Sequence, residues 1–118
     1  MNDFGDAIRV GASTGLEDER DLSKVNFDIE LYEAFSHGFI EGSRGSLTKM
    51  EIEMLPMGAL VMTYECGMRF LTDYLENDVY FQTSRYQHNL DRCRTQIKLV
   101  SDMEASLDKM NNIILKYV

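Results

Sequence analysis

Residues 90–117 read LDRCRTQIKLVSDMEASLDKMNNIILKY. Apolar side chains return at Leu90, Cys93, Ile97, Val100, Met103, Leu107, Met110, Ile114 and Tyr117, in steps of three and four. That period places them on one side of a helix, so the stretch predicts one long C-terminal amphipathic helix whose stripe packs on another element. A methionine-containing stripe of this kind is a core surface and not a ligand box.

The rest of the chain reads the same way. Leu, Met, Glu, Lys and Ala dominate its second half, and one proline and eight glycines interrupt 118 residues. Ala59, Met62, Cys66, Phe70 and Tyr74 continue a helical period to about Glu76, with Asn77 as its stop. Pro56 either kinks that helix or starts it at the first turn, where a missing N–H costs nothing. Before it, Thr48 and Glu51 have the spacing of a capping box. Phe27, Leu31, Ala34, Phe35 and Phe39 predict the inward face of another helix, closed by Gly42 and Gly45. Asp3 to Val10 forms a first short helix, capped by Asp3 and ended at Gly11. The expectation is a single all-α domain over residues 1–118. Residues 13–26, with Glu17, Asp18, Glu19 and Asp21, read as a solvated loop, lacking the glycine and alternate ligand spacing of a calcium loop. Residues 80–86 read as an extended link.

Composition excludes several functions. A formal charge of −8 repels a phosphate backbone, and no basic cluster offsets it, so nucleic acid is not an expected partner. No stretch reaches the roughly 18 apolar residues of a membrane span, and no signal peptide opens the sequence, so the expected compartment is the cytoplasm. Cys66 and Cys93 have no second thiol or histidine at metal spacing, and both read as buried free thiols. His37 and His88 are the only histidines. His37-Gly38 is followed by Phe39, where a catalytic loop needs aspartate, and it falls inside a helical period. Asp3-Phe4-Gly5 has the letters of a kinase metal-binding triplet but has only two residues before it. From the residues alone there is no catalytic set, no metal site and no glycine-rich phosphate loop.

Larger strings carry a resemblance. Asp3-Phe4-Gly5-Asp6-Ala7-Ile8 followed by Arg9, then Arg69-Phe70-Leu71-Thr72-Asp73-Tyr74-Leu75, Asp78-Val79-Tyr80-Phe81 and Asn89-Leu90, resemble the C-terminal part of aminoglycoside-phosphotransferase-fold kinases, in the N-acetylhexosamine 1-kinase-like branch. Some relatives there carry names tied to mucin desulfation, and salvage of mucin amino sugars is the activity the resemblance suggests. It runs to about Asp108 and is most specific from Arg69 to Phe81. It implies the helical C-lobe portion of a protein-kinase-like fold. It also implies that the nucleotide lobe, the catalytic aspartate and the metal-holding aspartate precede this chain. ATP and magnesium would then serve the full-length parent, with no cofactor held here.

The resemblance implies further that Arg69 and Tyr80 face an amino-sugar pocket, with Glu65 and Tyr64 as neighbours. Asp3 would support the backbone of the missing catalytic loop. Asn77 stands where the pattern has glycine, and asparagine tolerates the left-handed turn expected there. Independently of any family, Glu65, Arg69 and Asp73 at successive i,i+4 positions also fit a surface ion-pair ladder. Two functions follow as expectations. One is the substrate-side portion of a sugar kinase, inactive alone and partnered by the missing catalytic half. The other is a free-standing helical interaction module that self-associates or binds a partner through an exposed apolar face.

Overall fold

A computed structural model describes residues 2–43 and 45–117, the side chain of Asn2 excepted. Six helices follow one another: α1 Asn2–Gly11, α2 Ile29–Gly42, α3 Lys49–Glu53, α4 Leu55–Leu75, α5 His88–Ala105 and α6 Leu107–Leu115. A 3₁₀ turn, Leu22–Lys24, lies between α1 and α2. Among the described residues the only β-type pairing is an isolated bridge between Ser13 and Phe27, so the chain is all-α. No described helix is long and apolar enough to cross a membrane.

The ends of the helices follow from local chemistry. Asp28 caps α2 by accepting from the backbone N–H groups of Glu30 and Leu31. Thr48 and Glu51 form the reciprocal capping box at α3. Pro56 sits in the first turn of α4 and begins that helix. Asn77 and Asp78 both adopt left-handed backbone, at φ 70° and 58°, and turn the chain away from α4.

α4 is the central element, flanked by α1 and α5. A Cβ on Gly5 would lie 2.8 Å from the Met62 Cβ, so α1 reaches α4 only because Gly5 lacks one. The core joins Phe4 and Ile8 of α1, Tyr32 of α2, Leu55 and Ala59 of α4, Met103 of α5 and Met110 and Ile114 of α6. Tyr32 is wholly buried, and its hydroxyl donates to the Met110 carbonyl at 3.2 Å. Burial pushes that hydroxyl well above the ordinary tyrosine range.

The structure redraws three expectations. The inward side of α2 is set by Tyr32 and Ser36, while Leu31 and Phe35 stay 40% and 43% exposed. Tyr32 wins because its ring meets both Phe4 and Phe27 and its hydroxyl reaches the Met110 carbonyl in α6. The last apolar stripe runs through two helices, divided at Ser106, instead of one; Met103, Met110 and Ile114 are buried on both sides of the break. The 13–26 segment is a loop, but its carboxylates are not all solvated. Glu17 pairs with Arg9, and Asp18 pairs with His88 and Arg85.

Candidate functional site

The C-terminal half of α4 and the loop after it enclose a cavity of about 480 Å³ lined by Glu65, Met68, Arg69, Thr72, Asp73, Glu76, Tyr80 and Phe81. A larger one of about 660 Å³ shares Glu65, Arg69 and Phe81 and extends toward Arg9 and Arg92. Arg69 thus stands on the wall between the two. It holds Glu65 at 2.8 Å one turn back, and both side chains are at least half exposed.

Asp73 does not continue that pair. The residue is 3% exposed and turns inward. Its Oδ1 accepts from the Tyr80 N–H at 2.7 Å, and its Oδ2 accepts from the Phe81 N–H at 3.0 Å and from Asn89 Nδ2 at 2.7 Å. Its own backbone carbonyl accepts from the Asp78 N–H at 2.8 Å. Burial raises the carboxyl's pKa, but the Phe81 and Tyr80 N–H groups and Asn89 outweigh it and hold Asp73 below the usual carboxylate range. The ion-pair ladder is therefore a single rung, and the second carboxylate, Asp73, anchors a loop.

The anchor fixes where the aromatic residues stand. Phe81 packs on Phe70, ring centres 4.8 Å apart, and Tyr80 meets Phe81 edge-on at 4.9 Å. Arg92 lies over the Phe70 ring, 5.6 Å from its centre, and donates to the Gln82 carbonyl at 3.1 Å. Tyr80 itself stays 81% exposed on the cavity rim. Farther along, His88 is buried and accepts the Ser84 N–H at Nδ1, which leaves Nε2–H to donate to Asp18 at 2.8 Å. That hydrogen bond is the main reason Asp18 is held below its ordinary value.

Of the residues singled out in the sequence, Arg69, Glu65 and Tyr80 meet at one cavity. Tyr64 does not: it projects from α4 half exposed and lines neither cavity. Asp3 lies exposed in the first turn of α1. His37 lies in α2, pairs with Glu41 at 3.0 Å and stacks on Tyr117. Cys93 is buried, but Cys66 is only partly so. Burial pushes both thiols up, which disfavours the reactive thiolate. The residue that sequence reasoning missed is Asp73. A signal existed, because an acid in the last turn of a helix opposes the partial negative charge there and is kept only where something else uses it.

Among the described residues, no three His, Cys, Asp or Glu side chains form a group able to hold a metal ion. No family model matches the chain.

Proposed function

We propose that this chain is the substrate-side helical portion of an aminoglycoside-phosphotransferase-fold sugar kinase that transfers the ATP γ-phosphate to an N-acetylhexosamine. The observation that supports it is the convergence of Arg69 and Tyr80, eleven residues apart, on one cavity. A guanidinium offers fixed donors to sugar hydroxyl and carbonyl oxygens, and a tyrosine offers a ring face and a hydroxyl. Asp73 adds a reason for Tyr80 to be in place before a sugar arrives, since it holds the Tyr80 backbone directly. In this reading Glu65 restrains Arg69 and Tyr64 has no sugar contact. Chemistry at the phosphate belongs to a catalytic half outside these 118 residues, and the chain by itself neither hydrolyses ATP nor phosphorylates a sugar.

The test uses the chain joined to an in-frame upstream region that encodes a His-Gly-Asp loop. Arg69→Ala and Tyr80→Phe are then expected to raise the sugar KM by about 5- to 150-fold, the worth of one unpaired hydrogen-bonding group, while the ATP KM stays fixed. An unchanged sugar constant, or no such upstream region, overturns the reading. A second reading, a free-standing helical interaction module, draws on the exposed apolar residues at the start of α4.

A further inference from the structure

Arg92, in the second turn of α5, is the one arginine among the described residues with no carboxylate partner. Arg9, Arg20, Arg69, Arg85 and Arg94 each pair with an acid at 3.9 Å or less. In a chain of net charge −8 the exception stands out. Arg92 is partly buried, and both of its hydrogen bonds within the protein leave from Nη1, to the Gln82 carbonyl at 3.1 Å and to Asn89 Oδ1 at 2.9 Å. The Nε–Nη2 edge has no partner among the described residues. That edge is a fork of two parallel N–H groups, the arrangement with which a guanidinium takes a carboxylate bidentately. The Phe70 ring and the two oxygens hold the group in place, so the fork is set before any ligand arrives. Arg92 lines the larger of the two cavities, the one of about 660 Å³.

We propose that this cavity is a binding site for a small sugar acid, a hexuronate whose carboxylate takes the Nε–Nη2 edge of Arg92. The charge on the wall selects a monoanion. Arg9, Arg69 and Arg92 stand against Asp6, Glu17 and Glu65, so the lining is neutral as a whole, and the three acids are already engaged by Arg9 and Arg69. One negative charge therefore finds a cation at Arg92, whereas a dianion such as a phosphate ester brings a second charge that only the acids would meet. The rest of the wall describes the body of the ligand. Met62, Phe70 and Phe81 give apolar surface, and Arg69 and Gln82 stand beside it with polar groups. A pyranose ring carries C–H groups on its faces and hydroxyls around its edge, so it matches both parts of the wall. This inference does not rest on the kinase reading, which concerns the neighbouring cavity and Tyr80.

Titration of the full chain with glucuronate, followed by amide chemical shifts, tests it, with glucose as the uncharged control and acetate as the anion without a ring. Glucuronate is expected to bind ~10-fold more tightly than either and to shift the Phe81 and Gln82 amides. Arg92→Gln should weaken that binding by ~10-fold or more. Arg92→Lys should weaken it nearly as far while keeping a cation over Phe70, because an ammonium has no fork. Cys66 supplies a second readout, since it lines the cavity and Cys93 does not. Saturating glucuronate should slow alkylation of Cys66 in the wild-type chain, leave the rate at Cys93 unchanged, and protect neither thiol in Arg92→Lys at the same concentration. Glucuronate binding no tighter than glucose, affinity retained in Arg92→Lys, or Cys66 left unprotected at saturation overturns the proposal. Acetate binding as tightly as glucuronate does so as well, because it reduces the site to a bare anion contact.

Discussion

Two loops rest on α5, and they are held in different ways. The turn at Tyr80 and Phe81 in the 76–87 loop hangs from one buried carboxylate, Asp73, which takes two backbone N–H groups and the Asn89 amide, while Arg92 and His88 hold Gln82 and Ser84 farther on. The 12–28 loop is held at many separate points. Arg85 grips Asp18 and its carbonyl, Thr95 donates to the Glu17 carbonyl, Lys98 donates to the Val25 carbonyl and Asp102 accepts the Phe27 N–H. Backbone also closes this loop on itself, through Asp28 N–H to the Ala12 carbonyl at 2.7 Å and Thr14 N–H to the Asn26 carbonyl at 2.9 Å. A single anchor concentrates the consequence of its loss, whereas distributed anchors dilute it.

The largest effect should come from Asp73→Ala. Three donors lose their acceptor at once, so the melting temperature is expected to fall by on the order of 10 °C, and hydrogen-exchange protection at the Tyr80 and Phe81 amides should vanish. Protection that survives would show that Phe81 on Phe70, and not the carboxylate, holds the loop. Asp73→Asn should fall between, since an amide keeps one acceptor and turns its NH₂ toward a backbone donor.

Acid should reproduce part of this without mutation. Asp73 and Asp18 both have folded pKa values below their unfolded ones. Their contributions are fully present above the unfolded carboxylate value near ~4 and are lost as pH falls through the depressed folded values. Thermal melts from pH 6 down to pH 2 should show stability declining below about pH 4, with a shallower decline in Asp73→Asn. Equal slopes would remove Asp73 as a charged anchor.

Arg85→Ala tests the distributed loop. Asp91, 5% exposed, loses its 2.9 Å partner but retains Arg20 at 3.4 Å and Arg94 at 3.9 Å. The expected cost in chemical denaturation is about 1–2 kcal/mol, with the 12–28 amides still protected. A loss matching that of Asp73→Ala would erase the contrast between the loops. The smallest change is expected from Glu65→Ala, which removes a pair exposed on both sides. No more than about 0.5 kcal/mol should be lost, and a larger loss would mean that Arg69 carries structural load.

Much of the helical order was legible along the chain, because capping and turn chemistry act within a few residues. The Thr48–Glu51 box, Pro56 at the start of α4 and the left-handed Asn77 are all local devices. Face assignment was less secure. Leu31 and Phe35 look as inward as Tyr32 in sequence, and only the approach of α6, with a carbonyl for the tyrosine hydroxyl, chose among them. The candidate site divides in the same way. Arg69 and Tyr80 were singled out through the resemblance, but Asp73 looked like the third member of a ladder, because i,i+4 spacing cannot say whether a side chain meets solvent or an incoming loop.

What the sequence by itself determined is the all-α character and the positions of the turns, through periodicity, caps and the scarcity of glycine and proline. What only the tertiary structure decided is the partnership of charges and the use of faces: Asp73 with the Tyr80 backbone, Asp18 with His88, and the apolar outer side of α4 left about half exposed. Caps and turns are fixed by bonds spanning three or four residues, whereas these arrangements join groups as many as 70 residues apart and exist only once the helices have packed.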